Sequence, residues 1–529
     1  MKFKKILSIG LAAVSALAFT CTALAANAPT TVTLSVPSTD DHVYEAYQIL
    51  TGAVVDGKLT NIKWGINAVD YDSTEGASNY ASQDDLETLA AAIKNDGTNA
   101  TDDTINGNDA TELKTIEDYV NFDSTPAVAS LSKTSSANVT SGYYLIRDKS
   151  SVTLTGEDTY TQYIVQVCKN IEISRKAAGE GGTPTVDKKA DNANGISSKA
   201  GDTITYTIKV TVPDNIKSYK AYKFIVEDTL DNGLTYLTDP TLKYYSDGDT
   251  SKAGAAIALT TESTYANITS ATAPKLAKSA KTESAKAKFS VNSGDIISNT
   301  VTKDTINSAS VFVITYTAKV NSDATAGSAN PNKNTATLKY NNNPNSSDMT
   351  TLNTNSGDTA PVYTYKLTLT EKDTDGNVIS GMETTLYEKV DGNWVQIKKA
   401  STSTSGVTEF PQLEAGIYKL VTTAKSGYTT HDDIIFTVKE TISDAGALSA
   451  LEIKNEAGTG AFSQEGVTLS ANVTTGAITL SVVNYGSVAL PITGTTGIVA
   501  LAGAAAAILG CGLVMRVKSK KEEDEKLAA

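Results

Sequence analysis

Two lysines in this sequence stand where a strand would fix an amine in place. In Thr185-Val186-Asp187-Lys188-Lys189-Ala190 the strand period of two puts Val186, Lys188 and Ala190 on one face. Lys188 therefore turns inward and Lys189 outward. In Tyr163-Ile164-Val165-Gln166-Val167-Cys168-Lys169-Asn170 an alternating apolar run ends at Lys169. A deprotonated amine is a nucleophile. Burial favours that form by disfavouring the charged one, and it likewise pushes a carboxyl towards its protonated form. Set against this, most lysines at strand ends are solvated cations, and a lysine stem can be buried while its head reaches water.

Other chemistries find little support. There are two histidines, His42 and His431, and three cysteines, which excludes cysteine-rich zinc sites, disulfide scaffolds and Cys-x-x-Cys redox chemistry. Neither histidine sits in a recognisable motif, and no Gly-x-Ser-x-Gly elbow is present. There is no P-loop, and no dinucleotide fingerprint follows a strand. No cofactor and no metal site is expected, and the chain is not expected to be an enzyme. The net charge is −14, so a basic nucleic-acid surface is not expected either.

The elements that hold these lysines read as strands. The 529 residues suit three or four domains at roughly 100–200 residues each. Aromatic residues are mostly Tyr (24, against 9 Phe and 2 Trp), a mix that suits strands with one wet face. Residues 26–176 open with the alternating Thr31–Val36 and close with Ser141–Ile146 and Tyr163–Val167. Two helices look inserted between them. The first has Ser82 as cap, Asp85 as its acidic partner and Leu86, Leu89, Ala90 and Ile93 as one face; the second carries Leu113, Ile116 and Val120. The Gly- and Pro-bearing stretch 177–184 marks a linker. A second domain, 183–357, has strands at Thr203–Val212, Tyr222–Glu227, Ser310–Val320 and Thr335–Tyr340, with loops and short strands over 248–308. A third, 358–487, has short strands and the turns Asp375-Gly376 and Asp391-Gly392. Short strands with regular turn signals point to β-sandwiches.

The two ends carry addresses. Lys2, Lys4 and Lys5, the apolar Ile6–Phe19 and Ala23-Leu24-Ala25 form a signal peptide over 1–25. A second apolar run, 497–515, is long enough to cross a bilayer, and Arg516, Lys518, Lys520 and Lys521 follow it as a cytoplasmic stop. Just before it stand Leu490, Pro491, Ile492, Thr493 and Gly494, which match the Leu-Pro-x-Thr-Gly sorting signal of Gram-positive surface proteins. Loss of both ends would remove Cys21 and Cys511, leaving Cys168 without an intrachain disulfide partner, and would make the chain more acidic still.

Taken with the motifs, this layout resembles a major (backbone) pilin of Gram-positive sortase-assembled pili. The resemblance implies three tandem immunoglobulin-like, Cna-type β-sandwiches, the first with inserted helices. It implies that a sortase cysteine attacks the Thr493 carbonyl and releases the tail over 490–529, so that the membrane is spanned only before cleavage. The run ending at Lys169 is similar to the pilin motif, with Cys168 where that motif has Pro. Lys169 would then attack the acyl-enzyme made from another copy and build a covalent head-to-tail fibre. Lys188, Asn334 (in Asn334–Tyr340) and Asp228 (in Phe224–Leu234) match the family's first-strand lysine, last-strand asparagine and catalytic acid. They would form an internal isopeptide bond with loss of ammonia, Lys189 being the alternative lysine. The implied location is the cell wall or fimbrium, and the implied partners are further copies of the chain, sortase, peptidoglycan, minor pilins and host surface ligands. The alternative reading is a monomeric wall-anchored adhesin or pilus-tip protein, which would use the sorting signal but not Lys169.

The third domain departs from the family at its reactive positions. Glu371 stands in the lysine's place and Thr422 in the place of the catalytic glutamate, while Asn484 remains. No isopeptide bond is expected there unless Lys372 slips into register and uses another carboxyl, such as Glu383 or Glu414. A one-residue slip would flip its side chain to the other face.

Overall fold

The computed structural model describes residues 29–487 except 56–57, 75–78, 95–114, 123–125, 150–159, 161, 174–182, 215, 263–265, 280–285, 345 and 430. The signal peptide, most of the linker, the sorting pentapeptide and the apolar run 497–515 lie outside these residues. Among the described residues no helix is long and apolar enough to cross a membrane. The fold is mainly β, built as β-sandwiches in tandem.

In the first unit Thr31–Ser35 pairs antiparallel with Ala137–Thr140 and parallel with Ile171–Glu172. The facing sheet centres on Tyr44–Val55, flanked by Lys58–Trp64 and Gly142–Asp148, with Gln162–Val167 beyond. The helix Gln83–Lys94 forms as its pattern requires: Ser82 Oγ accepts the Asp85 amide at 3.1 Å, and Leu86 and Leu89 enter the core. Of the second expected helix the described residues include 115–117, which are helical, and Ile116 there is buried. Val120, also buried, follows them and makes a β-bridge to Ala68. Leu113 lies outside the described residues.

The second unit is larger. One sheet carries Val186–Ala190, Thr203–Thr211 and Val311–Val320; the other carries Phe224–Leu230, Lys288–Asn292 and Asn334–Tyr340. The stretch 248–308 supplies strands to both sheets, including Lys288–Asn292, which pairs directly with Phe224–Leu230. The alternating burial of these strands encloses one core. The chain leaves that core at Val362 and enters the next at Tyr363, a few residues beyond the 357/358 division read from sequence. In the third unit Tyr365–Asp373 lies parallel to the last strand, Ala477–Asn484, and faces a five-stranded sheet that includes Glu383–Val390 and Gly416–Thr422.

The second and third units meet closely. Ile196–Ser197 pairs in parallel with Val362–Tyr363, the Ser328 amide donates to the Val473 carbonyl at 2.9 Å, and Lys199 is ringed by Asp202, Glu388 and Glu414. Gly446 makes this contact possible. It sits at φ +80°, and a Cβ there would stand 2.3 Å from the Asn194 carbonyl oxygen. Gly376, at φ +85°, has nothing within 4 Å. Both glycines to alanine should incur the left-handed backbone cost of about 1–2 kcal/mol. Gly446→Ala should lose more in chemical denaturation, because it also forces the two units apart; equal losses would show that the contact contributes nothing.

Candidate functional site

The centre of the second unit is a lysine in a cage of aromatic rings. Val186–Ala190 alternates as an amphipathic strand, so Lys188 points into the sandwich and is fully buried, while the Lys189 side chain is 40% exposed. Lys188 Nζ donates to Asp228 Oδ2 and to the Tyr316 hydroxyl at 2.8 Å. Asp228 is also fully buried, on Phe224–Leu230 in the opposite sheet. The third sequence candidate, Asn334, opens the strand paired to that one, with Leu230 as its cross-strand partner. The structure therefore brings Lys188, Asp228 and Asn334 into one dry pocket.

Sequence reasoning missed the tyrosines that connect them. Tyr316 lies on Val311–Val320, next to the strand that pairs with Val186–Ala190. Its hydroxyl donates to Asp228 Oδ1 at 3.0 Å and accepts from Asn334 Nδ2 at 2.6 Å. Tyr236 donates to the same Asp228 oxygen at 2.7 Å. The Lys188 amine is 5.0 Å from the Tyr206 ring centroid and 5.2 Å from that of Tyr316. Phe289 meets Tyr316 edge to face at 4.9 Å. Their only sequence signal is period-two burial, which many core tyrosines share.

The electrostatics follow from dryness. Burial pulls the Lys188 amine below its ordinary pKa, against the attraction of Asp228. Burial drives the Tyr316 phenol well above its usual range, so its hydroxyl stays protonated. Asp228 is bonded by Lys188, Tyr236 and Tyr316, and the Tyr316 hydroxyl stands between its carboxyl and Asn334. A phenol thus links the acid to the asparagine. Asn334 Oδ1 accepts no hydrogen bond among the described residues.

Lys169 has the opposite setting. It is exposed, on the bend between Gln162–Val167 and Ile171–Glu172, strands that belong to different sheets. Asn170 Oδ1 holds the bend by accepting the Thr33 amide at 2.9 Å. Cys168 beside it is a half-buried free thiol whose pKa burial raises.

In the third unit the corresponding place is also buried. Glu371, at 0% exposure, accepts from Asn484 Nδ2 at 2.7 Å and from the Thr422 hydroxyl at 3.4 Å. Lys372 is half-buried on the other face of the strand. Glu383 and Glu414 are engaged elsewhere, with Lys399 and Lys199. The lysine slip weighed from sequence is therefore absent, and the buried lysines among the described residues are Lys188 and Lys223 alone.

A family model described as the SpaA prealbumin-like fold domain matches residues 365–457. None of the curated proteins matches the chain. Among solved structures it is similar to the T6 backbone pilin of serotype M6 Streptococcus pyogenes, at 16% identity and TM-score 0.46, over 88% of this chain and 100% of that one. It is also similar to the fimbrial protein FimP from Actinomyces oris, at 17% and 0.43, over 88% and 99%. The full-length major pilin SpaD from Corynebacterium diphtheriae gives 15% and 0.40, over 87% and 98%.

The shared acceptor is the weak point of the lysine pocket. Tyr316→Phe keeps the ring packing but strips Lys188 and Asn334 of a common partner. It should destabilise the second unit by about 1–3 kcal/mol in denaturant titration, the cost of leaving buried polar groups unsatisfied. A change within error would mean that the hydroxyl holds nothing.

Proposed function

We propose that this chain is a structural subunit, and not an enzyme, of a covalently polymerised, wall-anchored pilus. The observation that carries the reading is the Lys188–Asp228–Tyr316–Asn334 constellation, in which an amine, an acid and a carboxamide meet where water is excluded. Such a set is suited to an internal isopeptide bond. Lys188 passes a proton to Asp228 and its neutral amine attacks Cγ of Asn334. The proton held by Asp228 passes through the Tyr316 hydroxyl to Nδ2, the attacking nitrogen gives one of its two remaining protons to Asp228, the Cγ–Nδ2 bond breaks and ammonia departs. One amide replaces another, so no cofactor is needed. The bond would close a loop on the order of 150 residues, for which the chain-entropy relation gives roughly 5 kcal/mol of stabilisation. It would also tie the first strand of the unit to one near its end, so that tension could pass without unfolding the sandwich.

Polymerisation rests on a different lysine. The exposed Lys169 is open to a second chain, and the sorting pentapeptide Leu490–Gly494 supplies the acyl donor at Thr493. In this reading sortase joins Thr493 of one copy to Lys169 of the next, and the last copy is passed to peptidoglycan. The mature protein would be at the cell surface, with minor pilins and host ligands as further partners and adhesion as its role.

Two measurements check this. Boiled, detergent-treated wall extracts should give a high-mass ladder that Lys169→Ala reduces to monomer; a single band from the unmodified chain would favour a monomeric adhesin. In the isolated chain, a tryptic peptide pair joined at Lys188 and Asn334 should appear one ammonia lighter than its parts. Asp228→Ala should abolish it and lower the melting temperature. Free Lys188 and Asn334 peptides from the unmodified chain would refute the internal bond.

A further inference from the structure

The third unit keeps the asparagine but carries an acid where the lysine would be and a hydroxyl where the acid would be. Glu371 and Asn484 lie on neighbouring parallel strands, where Glu371 pairs with Val482 and Asp373 with Asn484, so the two side chains share the core face. Thr422 ends the strand Gly416–Thr422 in the opposite sheet. Its hydroxyl bonds Oε1 of Glu371 while the Asn484 carboxamide bonds Oε2. One carboxyl thus touches both groups, and all three side chains are at most 8% exposed. Two further observations mark the pocket as unfinished. Asn484 Oδ1 accepts no hydrogen bond among the described residues, and neither does the fully buried hydroxyl of Thr384, the cross-strand partner of Thr422. A purely structural polar cluster would be expected to satisfy such groups.

We propose that Thr422 and Asn484 are joined by an internal ester, formed with Glu371 as the acid–base group. Glu371 Oε1 takes the proton of the Thr422 hydroxyl as Oγ adds to Cγ of Asn484. Glu371 then gives that proton to Nδ2, the C–N bond breaks, and ammonia leaves. A hydroxyl and a carboxamide become an ester and ammonia, Glu371 ends as it began, and no oxidant or cofactor takes part. Burial raises the Glu371 carboxyl above its ordinary range, against the hydrogen bond from Asn484 and the pull of His431, which suits a group that must accept and then release a proton. The separation of 3.4 Å from Thr422 is long for proton transfer and is of the kind that closes as the bond forms. No lysine of this unit is buried among the described residues, which leaves the hydroxyls as the nucleophiles available inside it. The crosslink would fasten one sheet of the sandwich to the other, in a unit with no buried lysine among the described residues to do so.

The chemistry separates from that of the second unit in one experiment. The isolated chain is digested with trypsin and the peptide pairs are mapped by tandem mass spectrometry. The expected result is Leu420–Lys425 joined to the peptide that contains Asn484, one ammonia lighter than the sum. Hydroxylamine should release this pair, because it cleaves esters, and should leave any Lys188–Asn334 amide intact. Thr422→Val and Glu371→Gln should each abolish the joined pair, whereas Thr423→Val should keep it. Both peptides recovered free and at full mass from the unmodified chain would overturn the proposal and leave Glu371 and Asn484 as a hydrogen-bonded pair only. That result would leave the pilus reading untouched, since it depends on Lys169 and Lys188.

Discussion

Taking the Lys188 ammonium and the Asp228 carboxylate out of water is costly, and the second unit is arranged around that pair. A buried ion pair recovers its desolvation cost only when geometry is good and the remaining donors and acceptors are met. Here Tyr236 and Tyr316 complete the carboxylate, Tyr316 completes the amine, and the rings of Tyr206 and Tyr316 offer the cation their faces. Removing any member would expose a neighbour to an unpaired state in a low dielectric, so the pocket is cooperative. The same dryness that makes the charged state expensive makes proton transfer and amide exchange accessible. The constraint that threatens stability is thus the one that a covalent bond would relieve.

The third unit arranges its polar groups differently across the sandwich. Parallel pairing of its first and last strands sets residue 371 beside residue 484 in one sheet, and the facing sheet brings residue 422 over them, whereas in the second unit Lys188 faces Asp228 and Asn334 from the opposite sheet. The match to a prealbumin-like domain covers residues 365–457, which include Glu371 and Thr422 but not Asn484. With an acid in place of the amine, the corner holds one titratable group where the second unit holds an ion pair.

Lys169 and Lys188 carry the same functional group to different ends because their surroundings differ. Lys188 is screened from every partner outside its own sandwich. Lys169 sits on a short bend between two sheets, held by a side-chain bond from Asn170 and open to solvent. Between the reactive pockets, the close backbone approach at Gly446 and the Lys199 carboxylate ring press the second and third units together. Load applied at either unit would therefore meet a broad contact and not a single tether.

The sequence by itself determined which face each strand residue would occupy. Alternation is a local property, so it put Lys188 inward and Lys189 outward and gave the mainly β class before any contact was known. The capped helix at Ser82 was legible for the same reason, whereas the β-bridge from Val120 to Ala68 was not. Tertiary structure alone decided which buried residues meet across the sandwich. Tyr316 is 88 positions from Asp228, and Thr422 is 51 from Glu371; neither pairing leaves a trace in local periodicity. Such contacts depend on which sheets face each other and in what register. That is fixed by packing of the whole core, and for this reason the phenol between acid and amide, the unsatisfied hydroxyl of Thr384 and the glycine contact at Asn194 became visible only in the folded chain.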